Sequence, residues 1–211
     1  MSQLYFDLLP YDLITALAYY FPWKTIKMLC NNLISWQSLC TDVRFLRKYI
    51  SETHDVPLRA LVDSTLPFLI EYLDAPSWVE KFAIVKDYDY LPLFIYYVEE
   101  TIYGQQLKTT SGLTRPTRWI LKLAYELNRI KAYKIIRYLV NTYNDKLNKE
   151  NKYELLINTL YYDDITLFKY FIEDLHYDRD LDPNLLKNIY LHGLNLESNE
   201  IREYIKTHLL K

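Results

Sequence analysis

Only three glycines and eight prolines punctuate this chain of 211 residues. Collagen-like, low-complexity and disordered chains have other compositions, and 50% hydrophobic with 25% charged residues marks a globular protein. Neither sign of charge prevails: 25 Lys and Arg meet 27 Asp and Glu, a formal net charge of -2. The overall balance therefore gives no reason to expect nucleic acid or an anionic membrane as the partner. No apolar run reaches the roughly 18 residues of a spanning helix, and Asp7, Pro10 and Asp12 interrupt the N-terminal apolar run that a secretory leader needs. These absences lead us to expect a soluble protein of the cytoplasm or nucleus, with no membrane partner.

Cysteine is also scarce. Cys30 and Cys40 fall on what reads as one helical segment, and ten residues of continuous helix would hold them about 15 Å apart. That is too far for a disulfide, so two buried or half-buried thiols in a reducing compartment are expected. The length suits one generous domain or two small ones, and a chain of this size buries enough surface to fold without staples.

Tyrosine is what the chain has in abundance: 22 residues, within an aromatic fraction of 16%. A tyrosine faces a core with its ring and reaches a polar partner with its hydroxyl. The apolar residues recur with helical periodicity throughout. Leu13, Ile14, Leu17, Tyr20 and Phe21 form one stripe, and Ile26, Leu29, Leu33, Trp36 and Cys40 another, with a turn at Pro22. Phe45, Leu46 and Tyr49 complete a small N-terminal bundle. Pro67 predicts a kink or a fresh helix start, Asp74 before Pro76 a stop with Asp as cap, and residues 104–118 the longest loop. Asp182 and Pro183 open a helix as cap and first residue.

The second half reads as repeated helix pairs. Ile120–Ala124, Leu155–Thr159 and Leu185–Ile189 align as equivalent segments at offsets of 35 and 30 residues, with Phe82 opening an earlier copy. These offsets bracket the 33 residues of an ankyrin-like unit, in which short helix pairs bury their apolar sides by stacking.

Nothing in the chain points to catalysis. There is no glycine-rich phosphate loop, His-Glu-x-x-His, Gly-x-Ser-x-Gly or Cys-x-x-Cys. His54, His176, His192 and His208 fall at segment ends without ligand spacing. Asp163 and Asp164 read as a helix cap or a solvated face, and Asp178, Asp180 and Asp182 lack the calcium-loop pattern. The expectation is a protein that is not an enzyme, with no metal and no cofactor.

One local charge feature remains. Lys108, Arg115, Arg118, Lys122, Arg129 and Lys131 are opposed between Gly104 and Arg137 only by Glu126, and Trp119, Tyr125 and Tyr133 lie among them. Cations beside exposed aromatics suit phosphates and bases. The same cations would steer an acidic protein partner, or offset the acid-rich segment from Lys149 to Asp180.

The first 45 residues carry a further pattern: Leu9-Pro10, then Leu13, Ile14, Leu17 and Phe21, then Ile26 and Leu29, then Leu33 and Trp36, followed by Leu39, Asp42 and Phe45. This resembles an F-box, with Leu33 where the family often has cysteine and Lys24-Thr25 in place of its lysine-aspartate turn. An F-box-like segment ahead of degenerate ankyrin-like repeats, in a Tyr- and Lys-rich chain, resembles proteins of large DNA viruses of protists. The resemblance implies an all-α fold with an F-box-like helical bundle over residues 1–52 packed on irregular ankyrin-like helix pairs over 53–211. It also implies docking on a Skp-type adaptor of a cullin–RING ubiquitin ligase through Leu9, Pro10, Leu13, Ile14, Leu17, Ile26 and Leu29. The remainder of the chain would then select a protein substrate, in a host cell if the viral likeness holds. A viral-type scaffold without adaptor binding, a homodimer, and a nucleic-acid-associated protein using residues 104–137 are the alternatives.

Overall fold

Every regular element among the described residues is helical in the computed structural model, which describes residues 9–101, 104–105, 117–180, 182–196 and 198–209. The helical periodicity of the sequence is thus realised as an all-α protein without strands among these residues. The chain divides into two units, Met1–Tyr97 and Val98–Lys211.

The first unit contains α1 (Tyr11–Ala18), α2 (Trp23–Asn32), α3 (Ile34–Thr41), α4 (Val43–Thr53), a 3-10 turn (Leu58–Leu61), α5 (Leu66–Asp74), α6 (Trp78–Asp87) and α7 (Leu91–Ile95). Prolines set the starts: Pro10 and Pro22 immediately precede α1 and α2, and α5 and α7 carry Pro67 and Pro92 in their first turns. A proline there removes no helical hydrogen bond, so Pro67 makes a fresh start rather than a kink. Asp74 does not cap the helix that follows it. Ser77 does, accepting from the Glu80 N–H while the Glu80 carboxylate accepts from the Ser77 N–H, a reciprocal pair that satisfies two orphan donors. Asp74 instead accepts from the Trp23 indole N–H at 2.8 Å and pairs with Lys27, joining α5 to α2.

The single helix expected to carry both cysteines is broken. Leu33 is extended, with φ -125° and ψ 123°, and separates α2 from α3. The two helices fold back as a hairpin, so Leu33, Trp36 and Leu39 are buried together with Ile26. That reversal brings the Cα atoms of Cys30 and Cys40 to 6.3 Å, and the two are joined as a disulfide. The expectation of two separated thiols fails because it assumed an unbroken helix; a hairpin lets both apolar stripes face one interior.

The second unit is built from helix pairs. α8 (Arg118–Arg129) and α9 (Tyr133–Tyr143) form one. α10 (Lys149–Tyr161) and α11 (Ile165–Lys169), the latter extended by a π turn over Tyr170–Asp174, form the next. After the short α12 (Tyr177–Asp180), α13 (Pro183–Asn195) and α14 (Asn199–His208) form the third. The capping expectations hold here: Asp164 and Asp182 accept backbone N–H groups at the starts of α11 and α13.

The pairs share a hydrogen-bonded turn. The N–H of Ala132 donates to the Leu127 carbonyl, that of Asp164 to Thr159, and that of Ser198 to Gly193; in the first unit Tyr90 donates to Val85 in the same way. In the first three of these turns in chain order the preceding residue, Asp89, Lys131 or Asp163, has positive φ, between 46° and 57°. This is a Schellman helix ending, where glycine is the usual occupant; a chain with three glycines places Asp and Lys there. The turns recur at intervals of 42, 32 and 34 residues. They correct the expected register, pairing Phe82 with Ala124, Leu156 and Tyr190 rather than Phe82 with Ile120. Each expected alignment is out by three or four residues, one helical turn, because a periodic apolar face looks alike when slid by one turn. The expected 104–118 loop lies outside the described residues except for Gly104, Gln105, Thr117 and Arg118, and Arg118 already belongs to α8.

Three of the 22 tyrosines recur at one position of this repeat. Tyr138, Tyr170 and Tyr204 are equivalent residues of successive second helices, and each donates to an acceptor earlier in the same unit: Glu99 at 3.4 Å, in the π turn Tyr96–Glu100, Asn141 at 2.7 Å and Glu173 at 2.8 Å. A cation one turn before the acceptor covers the ring in two of the three cases, Arg137 over Tyr170 and Lys169 over Tyr204. Burial and the Glu173 carboxylate push the Tyr204 hydroxyl up to about 12, so it remains a donor at neutral pH. The clasps of Tyr170 and Tyr204 tie pair to pair within the unit.

Candidate docking surface

α1 divides its apolar residues between two faces. Ile14 and Ala18 are buried, while Leu13, Leu17 and Tyr20 are 51%, 36% and 86% exposed. Leu13 and Leu17 are four residues apart on α1 and share its outward side, and Tyr20 lies in the turn just past the helix end; Pro10 is exposed and Leu9 half-buried at its N-terminal end. α1 is fixed in rotation from behind. Its Tyr11 hydroxyl donates to Asp42, and the Asp42 carboxylate also accepts the N–H groups of Arg44 and Phe45 at the start of α4. Burial works against ionisation of Asp42, but these three donors outweigh it and hold its carboxyl below the usual range. The Tyr11 hydroxyl is pushed up to about 12, first by burial and then by Asp42.

The seven residues expected to meet an adaptor are thereby apportioned. Ile14 and Ile26 fill the unit's own core. Leu13, Leu17 and Pro10 face outward, and Leu9 and Leu29 are half-buried. Two further outward apolar residues escaped the sequence reading: Met28, 54% exposed on α2, and Ile34, 80% exposed at the start of α3. Ile34 follows the break at Leu33, and only the location of that break separates an outward Ile34 from a buried one.

The basic region is rearranged more. Lys108 and Arg115 lie outside the described residues. Arg118, Lys122 and Arg129 are exposed along α8, and Lys131 sits in the left-handed turn that follows. Of the aromatics expected among them, Trp119 is buried and Tyr133 donates to Asp164 across to the next pair. Tyr125 alone stays with the cations, joined instead by Tyr161 and Tyr162 at ring distances of 6.5 Å and 5.6 Å. Glu150 and Glu154 are exposed on neighbouring α10.

Among the described residues no three His, Cys, Asp or Glu side chains gather as metal ligands, and no helix is long and apolar enough to cross a membrane. No family model, no curated protein and no solved structure matches this chain.

Proposed function

We propose that the chain is a non-catalytic interaction protein, in which the F-box-like segment over residues 1–52 docks on a Skp-type adaptor of a cullin–RING ubiquitin ligase while the helical remainder, 53–211, holds a protein substrate. The observation that carries this reading is the outward pair Leu13 and Leu17 on a helix whose opposite face is already buried, followed by the exposed Tyr20 in the turn past the helix end. An amphipathic helix with apolar residues on both faces has one face to give to a partner. The F-box-like order of residues places Leu9, Pro10, Leu13 and Leu17 at the start of the docking element, and Ile14 and Ile26 support them from the core. The chain contributes no bond-making step in this role; it brings a substrate close to another protein's chemistry.

The test is calorimetric titration of the purified chain with a purified Skp-type adaptor, repeated with Leu13→Asp and Leu17→Asp. Binding by the wild type that each substitution abolishes, with the helical circular dichroism unchanged, supports the proposal. A folded wild-type chain that binds no adaptor leaves a scaffold or homodimeric protein, which sedimentation analysis then distinguishes.

A further inference from the structure

The first helices of the three pairs in the second unit lie side by side, α8 against α10 and α10 against α13. The shared turns set their register, and in that register Tyr125, Ile157 and Leu191 are equivalent residues of consecutive helices. Tyr125 and Leu191 are each 45% exposed, Ile157 is half-buried, and Tyr161, one turn beyond Ile157, is 60% exposed. An apolar and aromatic row thus crosses three helices on their outward face. The Tyr125 ring contacts with Tyr161 and Tyr162 show that the α8 and α10 parts of the row meet.

The charges around this row are ordered. Arg118, Lys122 and Arg129 share the outward face of α8 with Tyr125, and none of the three is in an ion pair with a described carboxylate. The positions equivalent to Arg118 and Lys122 hold Glu150 and Glu154 on α10 and Asn184 and Asn188 on α13, that of Arg129 holds Tyr161 on α10, and the exposed Lys187 lies one turn before Leu191 on α13. The face therefore changes sign, from basic on α8 to acidic on α10, with Lys187 the single charge near the row on α13. A nucleic-acid backbone neutralised on α8 would meet Glu150 and Glu154 within one helix diameter, whereas a polypeptide changes its charge residue by residue. Exposed aromatics with a few flanking cations are also the composition of protein-binding hot spots.

We propose that the outward face of α8, α10 and α13 is a docking surface for a protein segment that is acidic where it crosses α8 and apolar where it meets Tyr125, Ile157 and Leu191. The proposal rests on the chain being an interaction protein and does not require adaptor docking. Carboxylates of the segment lie against Arg118, Lys122 and Arg129, giving rapid, salt-sensitive association, and its apolar side chains cover the central row.

The test begins with selection of random peptides displayed on phage, using the full chain as bait. The enriched peptide, synthesised with a fluorescent label, is titrated by anisotropy against the wild type, Tyr125→Ala, the Lys122→Glu/Arg129→Glu pair and Leu13→Asp, beside an oligothymidine probe. The expected outcome is a consensus with Asp or Glu next to large apolar residues. Its affinity should fall about tenfold or more with Tyr125→Ala and with the charge reversals, which are exposed and leave the helical signal intact. Leu13→Asp should leave this binding unchanged even though it abolishes adaptor docking, so the two proposals fail separately. Absence of any consensus, a consensus indifferent to these substitutions, or oligothymidine binding tighter than the peptide through the same residues would each overturn the proposal.

Discussion

The two units solve the same problem, helices with more apolar surface than one interior takes, in different ways. In the first, aliphatic side chains are left outside: Leu13, Leu17, Met28 and Ile34 all lie on the surface of helices whose inner faces are full. In the second, tyrosines take up part of the excess: Tyr138, Tyr170 and Tyr204 tether their hydroxyls to acceptors earlier in the same unit. A leucine left outside gains only from a partner that covers it, whereas a tyrosine at a pair boundary is satisfied within its own fold. The first unit is thus left with an exposed aliphatic surface, and the second with internal joints and one outward row.

Mutations sharpen this contrast, the largest effect coming from neighbouring residues on α1. Ile14→Ala should destabilise the protein by about 2–5 kcal/mol, as expected for a buried aliphatic, while Leu13→Ala should change stability by less than about 0.5 kcal/mol; urea unfolding of the two variants measures both. Equal losses would mean that Leu13 is part of the core. The hairpin that displays Ile34 is closed by Cys30–Cys40, and a loop of this length contributes about 2–3 kcal/mol when cross-linked. Reduction, or Cys40→Ser, should therefore lower the urea midpoint. Thiol titration of the unreduced, unfolded chain should find no free cysteine, and two free thiols would restore the expectation of a reduced pair.

The second unit offers smaller handles. Tyr170→Phe keeps the ring beneath Arg137 and removes only the hydroxyl bonded to Asn141, so a loss of about 1 kcal/mol is expected in thermal unfolding. No loss would demote the clasp to simple packing. Lys131→Gly works in the opposite direction: Lys131 holds φ at 57°, a conformation that costs a side-chain-bearing residue about 1 kcal/mol or more. Glycine adopts it freely at some entropic cost. A net gain of about 0.5 kcal/mol in unfolding free energy is expected, and a loss would show that the Lys131 side chain contributes more than its backbone costs.

What was legible in the sequence follows from what periodicity encodes. The spacing of Leu13, Ile14, Leu17 and Phe21 gives the helix, and prolines 22, 67 and 183 give the boundaries, because both signals are local. The break at Leu33 carries neither glycine nor proline, so its extended backbone, and with it the Cys30–Cys40 bond, follows only from the packing of Leu33 and Trp36 inside the hairpin. The repeat was visible but misregistered by one turn, since its marker is a Schellman turn occupied by Asp89, Lys131 and Asp163 in place of the glycine that would have announced it. The residues expected to meet an adaptor read as one apolar set, in which the sequence does not separate outward from inward side chains. Leu13 and Ile14 are chemically interchangeable in a pattern, and only the rotation of α1, held by Tyr11 on Asp42, turns one outward and the other inward.

The measurement that tests the central claim most directly is backbone hydrogen exchange of the full chain, alone and with a saturating Skp-type adaptor. The proposed docking predicts slower exchange over Tyr11–Ala18 and Trp23–Asn32 in the complex, with Arg118–Arg129 and Asn199–His208 unchanged. Protection confined to the second unit, or none anywhere at saturating adaptor, would contradict it.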